Sequence, residues 1–340
     1  MDLQNHLKNE LETSAQYELT DEDNKLLVND KRENYIFKKL SSKKFRKWSL
    51  DESSEKQIKN AIHLNVSANN PIQFIFPFGG YKLWSLPTAP QIDWAEFFMI
   101  SYYLRWIAPL LPVYQPGVQF IFSSDDVIVE KLDNIPPKDT NAYFASFQKL
   151  LQQFSGYFPQ NLSMEIKRVG DLFTPNEFEE ELAENIIAMK KVYEHPDPVN
   201  YQKMLTTSKL NFQWNGVEDF SQLSDAEKEQ KIKMGPIFHD AYGKLNKRRA
   251  FVRGEDKIVV FTTPISNAIA IGTTKSSITK FWTGYGVVEK RGEAFIDRIL
   301  SPEQFQRMQK TTYETQAVNL IDLPNFKTIT ITPPLNFTNS

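Results

Sequence analysis

The chain has 340 residues, 41% of them hydrophobic, 24% charged and 13% aromatic, which is the composition of a folded globular protein and excludes a mostly disordered one. Forty basic residues against forty-two acidic ones leave a formal charge of −2, so no overall field draws in nucleic acid or an anionic membrane. With zero cysteines, disulfides, thiolate metal sites, iron–sulfur clusters and a cysteine nucleophile are all excluded, and an intracellular, cytoplasmic setting is the expectation.

Residues 1–25 carry charges throughout and lack the apolar run of a secretory signal, so no signal peptide is expected there. Acids dominate up to Asp30, and residues 31–47 are then almost uniformly basic. Such blocks predict a charged, partly flexible extension over 1–50, ahead of a single domain over 51–340. Two readings of the basic stretch 31–48 stand. It packs Ile36, Leu40 and Trp48 onto the body as a basic helix, or it offers its lysines to a phosphate backbone or a protein partner.

From Asp51 onward the pattern is regular. Ser53 or Ser54 caps a helix in which Ile58, Ala61, Ile62 and Leu64 recur near helical spacing. A strand over 71–76 runs into Pro77 and the Gly79-Gly80 pair, which stop it. Residues 93–111 read as a buried helix capped by Asp93, and the apolar neighbourhood from Phe97 to Val113 is broken by Arg105, Pro109 and Pro112 and falls short of a membrane span. Pro116-Gly117 then turns into a second strand over 118–122. This strand-helix-strand order predicts an α/β fold with a largely parallel, Rossmann-like sheet flanked by helices and a helical N-terminal extension. Further helices are expected over 139–154, 175–193 and 221–246, and strands over 257–262, 267–271, 317–321 and 328–331. The stretch 195–198, with two prolines, is the one linker candidate, and a subdivision of the main domain is expected there if anywhere.

Three segments can carry chemistry. Gly79, Gly80, Tyr81 and Lys82 follow the first strand, where glycines let a backbone approach an anion and a lysine can hold phosphate or carboxylate. A tight turn with a solvated lysine is the plainer reading. Ser123-Ser124-Asp125-Asp126 follows the second strand. Its adjacent carboxylates repel, so one can keep a raised pKa and move protons, or the two together can hold Mg²⁺; a simple hairpin turn accounts for them equally well. Arg248, Arg249 and Arg253 precede the strand at 257–262, and Lys275 lies in a hydroxyl-rich loop after the next one, a set suited to clamping an oxyanion or else to a solvated helix end. Four scattered histidines show no metal spacing, so no metal site is expected.

The order IQFIFPFGGYKLW, APQIDWAEFF and YQPGVQFIFSSDDVIV resembles the early region of the isocyanide (isonitrile) synthases of pyoverdine and dityrosine biosynthesis. A looser match runs from His239-Asp240-Ala241-Tyr242 through the arginines to the strand at 268–271, so the likeness spans roughly residues 70–280. This chain differs from the family pattern in having Asp126 where the family has glycine, and Gly272 in place of a family histidine. The resemblance implies a Rossmann-type enzyme that joins the nitrogen of an amino acid, aromatic for preference, to the carbonyl carbon of ribulose 5-phosphate, without a cofactor. On that footing Asp125, Asp126 and Lys82 are the expected catalytic residues. Gly79, Gly80, Tyr81, Glu96, Ser124, Arg248, Arg249 and Lys275 are the expected substrate contacts. The alternatives are a metal-dependent glycosyl or nucleotidyl transferase, with the two aspartates on Mg²⁺ or Mn²⁺, and a non-catalytic binding protein on the same scaffold.

Overall fold

Each element forms where the local chemistry favours it, and the parallel sheet collects them. In the computed structural model, residues 3–29, 31–46, 48–78, 92–132, 135–213, 222–272, 281, 284–309, 313–316 and 328–331 are described. In chain order the elements are α1 (Leu3–Thr13), α2 (Asp21–Asn29), α3 (Arg32–Leu40), α4 (Glu52–Ser67), β1 (Ile72–Phe78), α5 (Trp94–Ile107), β2 (Val118–Ser124), α6 (Asp126–Leu132), α7 (Pro137–Ser155) and β3 (Leu162–Arg168). These are followed by α8 (Pro175–Val192), α9 (Pro198–Gln213), α10 (Asp225–Gly243), α11 (Asn246–Arg253), β4 (Lys257–Phe261), β5 (Ile269–Ala270), β6 (Tyr285–Arg291), β7 (Ala294–Leu300), α12 (Pro302–Gln309), β8 (Tyr313–Gln316) and β9 (Thr328–Ile331).

The strands β3-β2-β1-β4-β5 form one sheet in that order, and every pairing is parallel. Phe74 stands beside Phe120, and Phe76 beside Phe122, so one face of the sheet is a layer of aromatic rings. Trp106 and Tyr103 of α5 and Phe147 of α7 close over it. The opposite face packs Ile75 and Ile121 against Val252 of α11. The strand order reverses between β1 and β4, and in open α/β sheets ligands bind at the carboxyl edge beside such a reversal.

The N-terminal helices belong to the same core: Leu7, Leu11, Tyr35, Ile36 and Leu40 are buried in it. Trp106 Nε1 donates to the Leu40 carbonyl at 3.1 Å, which ties α3 to α5. Asp23, fully buried on α2, accepts from Tyr17 Oη at 2.6 Å and from Thr20 N at 3.1 Å, and pairs with Lys39 of α3. Burial alone would raise its carboxyl, but these donors hold it down at about 2. The packed reading of the basic stretch therefore describes Ile36 and Leu40, while Trp48 is half-buried.

The remaining strands form a second, four-stranded sheet, β7-β6-β9-β8. Its β6–β7 hairpin turns at Gly292, whose φ of 58° is a conformation that glycine takes without strain. The hairpin meets the start of α5 through Gly286, whose N–H donates to Asp93 Oδ1 at 3.2 Å. A Cβ there would come within 2.1 Å of Ala95 N, so the start of α5 docks directly on the strand backbone.

Several expectations change. The helix expected over 221–246 is α10, Asp225–Gly243, and a further helix, α11, follows the turn at Lys244-Leu245. The 195–198 stretch is the short turn between α8 and α9, and Tyr193 Oη bonds across it to Asp240 Oδ2 at 2.6 Å. The hairpin reading of 123–126 is overturned, because Asp126 opens a helix and Ser124 pairs in parallel with Arg168. The strand expected over 317–321 lies outside the described residues.

Candidate active site at the carboxyl edge

β2 delivers Ser124 and Asp125 to the carboxyl edge of the sheet, and α6 begins at once with Asp126. The Ser124 carbonyl accepts from Val169 N at 3.0 Å, which locks this turn to the end of β3. Asp125 is 2% exposed and fully engaged. Its Oδ1 accepts from Tyr242 Oη at 2.9 Å and from Arg248 Nε at 3.2 Å, and its Oδ2 accepts from Arg248 Nη2 at 3.0 Å. The guanidinium thus grips the carboxylate in bidentate fashion while lying 4.8 Å over the Tyr242 ring. Burial pushes the Tyr242 hydroxyl well above its ordinary range, with the Asp125 charge adding to it, so it stays a protonated donor.

Asp126 has a different environment. Arg168, at the end of β3, places Nε 2.8 Å from Asp126 Oδ2 as an ion pair without hydrogen-bond alignment, and its guanidinium lies 4.3 Å over the Phe144 ring. Burial nonetheless raises the Asp126 carboxyl to about 6, against the pull of Arg168 and of a hydrogen bond with Ser124. The two adjacent aspartates thereby differ in what they can do. One is clamped by donors, and the other carries a proton that is exchangeable near neutral pH. His239 stands one helical turn before Tyr242 on α10, within electrostatic reach of Asp125, Asp240 and Arg248. Burial lowers its imidazole below the usual value although both aspartates oppose this, so it is neutral at pH 7.

The structure gathers Ser124, Asp125, Asp126 and Arg248 from the expected residues and adds Arg168, His239 and Tyr242, which the sequence alone does not assign. The one signal that could have found the last two is the His239-x-x-Tyr242 spacing, which puts both on one helix face. Arg249 is exposed, and no described contact joins it to the cluster. Glu96 is buried in a capping box: its Oε2 accepts from Asp93 N at 2.8 Å and its Oε1 from Tyr143 Oη at 3.0 Å. Gly79, Gly80, Tyr81, Lys82 and Lys275 lie outside the described residues. Both aspartates face guanidinium groups, and among the described residues no group of three or more His, Asp or Glu side chains is arranged to hold a metal ion. A groove of about 720 Å³ between α3 and α4, lined by Glu33, Lys56, Gln57, His63 and Asn267 among others, shares no residue with this cluster.

No family model and no curated protein matches the chain. Among solved structures, however, the fold is shared with the PvcA protein from Pseudomonas aeruginosa. The superposition has a TM-score of 0.57 at 14% identity and covers 87% of this chain and 99% of PvcA. At that identity PvcA supports the architecture alone. Among the described residues, no helix is long and apolar enough to cross a membrane.

Proposed function

We propose that this chain is an isonitrile-synthase-like enzyme that condenses the amino group of an amino acid, aromatic for preference, with the carbonyl carbon of a phosphorylated sugar such as ribulose 5-phosphate. The observation that carries this reading is the division between Asp125, clamped by Arg248 and Tyr242, and Asp126, whose buried carboxyl is raised to about 6. Condensation of an amine with a ketone needs such a group. The nitrogen adds to the carbonyl carbon and its two protons pass in turn, through a base, to the carbonyl oxygen, which leaves as water, so that a C=N bond replaces C=O. Asp126 fits that relay, with Arg168 stabilising its ionised form. Asp125 and Arg248 brace the turn that presents it. The sequence resemblance to the isonitrile synthases and the fold shared with PvcA support the reading together.

A thermal-shift series separates this reading from the metal-dependent transferase, which needs a carboxylate pair turned to a cation. Tyrosine and ribulose 5-phosphate should each raise the melting temperature without added metal, because a ligand at 100 times its Kd adds about 2.7 kcal/mol. Stabilisation by nucleotide sugars with Mg²⁺ alone would replace this reading with the transferase.

A further inference from the structure

The groove between α3 and α4 is a concave surface that the Asp125 cluster does not use. Its volume of about 720 Å³ falls within the range of about 300–1,000 Å³ typical of small-molecule pockets. Three walls form it. α4 contributes one stripe of side chains, because residues 53, 56, 57, 60 and 63 recur at helical spacing. α3 contributes Glu33, Asn34 and Phe37, and the turns before β4 and β5 bring Glu255 and Asn267.

These walls are tied to the core and to one another. Ile36 and Leu40 of α3 and Ile58 and Ile62 of α4 are all buried in the main hydrophobic cluster. Asn65 Nδ2 donates to the Asp256 carbonyl at 2.7 Å, which fixes the Glu255 turn to α4. Ala268 N donates to Ser54 Oγ at 3.3 Å and Ser53 Oγ donates to Asn267 Oδ1, so the Asn267 turn is held to the start of the same helix. Asn267 has a φ of 55°, a left-handed conformation that asparagine tolerates better than most residues. The groove is therefore preformed, and a ligand need not order it.

Some of the lining side chains already have partners. His63 Nδ1 lies 3.3 Å from Glu33 Oε1, and Lys59 pairs with Glu55 while its Nζ lies 4.6 Å over the Phe37 ring. Three carboxamides remain, those of Asn34, Gln57 and Asn60, and none of them bonds to another described residue. Each offers two donors and an acceptor. Among the described lining residues two glutamates offset two lysines, so a phosphate or a metal ion meets no excess of opposite charge. Hydroxyl groups are donors and acceptors at once, as carboxamides are, and Phe37 and Ile62 supply apolar surface for the C–H groups of a sugar ring.

We infer that the α3–α4 groove binds a neutral saccharide through the carboxamides of Asn34, Gln57 and Asn60. The site shares no residue with the Asp125 cluster, and the inference does not depend on the reaction proposed above.

The test is a ligand-observed NMR titration of the full chain with maltose, cellobiose, lactose and sucrose, and with glucuronate and glucose 6-phosphate as charged counterparts. At least one neutral disaccharide should bind with a Kd of about 1 mM or tighter. The double variant Gln57→Ala/Asn60→Ala changes two side chains outside the buried core to a good helix former, so it should melt at the wild-type temperature and bind that sugar tenfold or more weakly. Gln57→Glu/Asn60→Asp, which keeps the shape and removes the amide donors, should weaken binding as well. Failure of every neutral sugar to bind, or equal binding by wild type and the alanine variant, would overturn the inference. Binding of the charged sugars alone would overturn it too, since a groove with balanced charges has no reason to prefer them.

Discussion

At the scale of single residues, the proposed chemistry turns on two aspartates adjacent in sequence and unlike in environment. An ordinary aspartate ionises near 3.8, and Asp126 in the fold does so near 6. Between those values the folded chain holds a proton that the unfolded chain has released, so this residue makes stability fall as pH rises from about 4 to 6. The two-unit gap amounts to about 3 kcal/mol in all. Asp126→Asn removes the titration. In urea melts the variant should therefore gain on the wild type by about 3 kcal/mol between pH 3.5 and pH 7, and a difference that does not vary with pH would show that Asp126 is not the raised group. The sequence displayed both aspartates but not which would be which. That depends on Arg248, more than a hundred residues away, and on Arg168 at the end of another strand, neither of which lies near them in the chain.

At the scale of elements, Asp125 is the tie among β2, α10 and α11. Arg248→Met leaves a carboxylate that is 2% exposed without its counter-charge, a change that typically costs 3–5 kcal/mol. Tyr242→Phe removes one hydrogen bond to the same carboxylate and should cost less, about 1.5–3 kcal/mol. Because both act on one group, the double variant should fall short of the sum, and strict additivity in chemical denaturation would contradict a shared role. The elements legible in the sequence were those with strong signals: the aromatic strands β1 and β2, the helices α4 and α5, and α8 behind its proline, although Asp51 caps α4 rather than Ser53 or Ser54. β3 escaped because Leu162–Arg168 alternates buried with half-exposed positions at the sheet edge, where polar side chains dilute the hydrophobic run. The β6–β7 hairpin escaped because its charged residues, such as Glu289 and Arg298, pair across the strands and mask its period. The break between α10 and α11, which sets Arg248 against Asp125, carries no proline to announce it.

At the scale of the whole molecule, the strand order β3-β2-β1-β4-β5 brings segments distant in sequence to one edge. The chain order of a strand, a helix and a second strand was enough to anticipate a parallel sheet. It did not disclose the second sheet, nor that the helices ahead of the basic stretch share the main core. Similarity to PvcA over 87% of the chain extends to this architecture and leaves the reaction to be measured. The most direct measurement is mass spectrometry of the purified protein incubated with tyrosine and ribulose 5-phosphate carrying ¹³C at its carbonyl carbon. The proposed condensation should give, after borohydride trapping of its C=N bond, a tyrosine–sugar adduct one mass unit heavier than from unlabelled sugar, formed by the wild type and lost in Asp126→Asn. A folded wild-type protein that binds both substrates and yields no labelled product would contradict it.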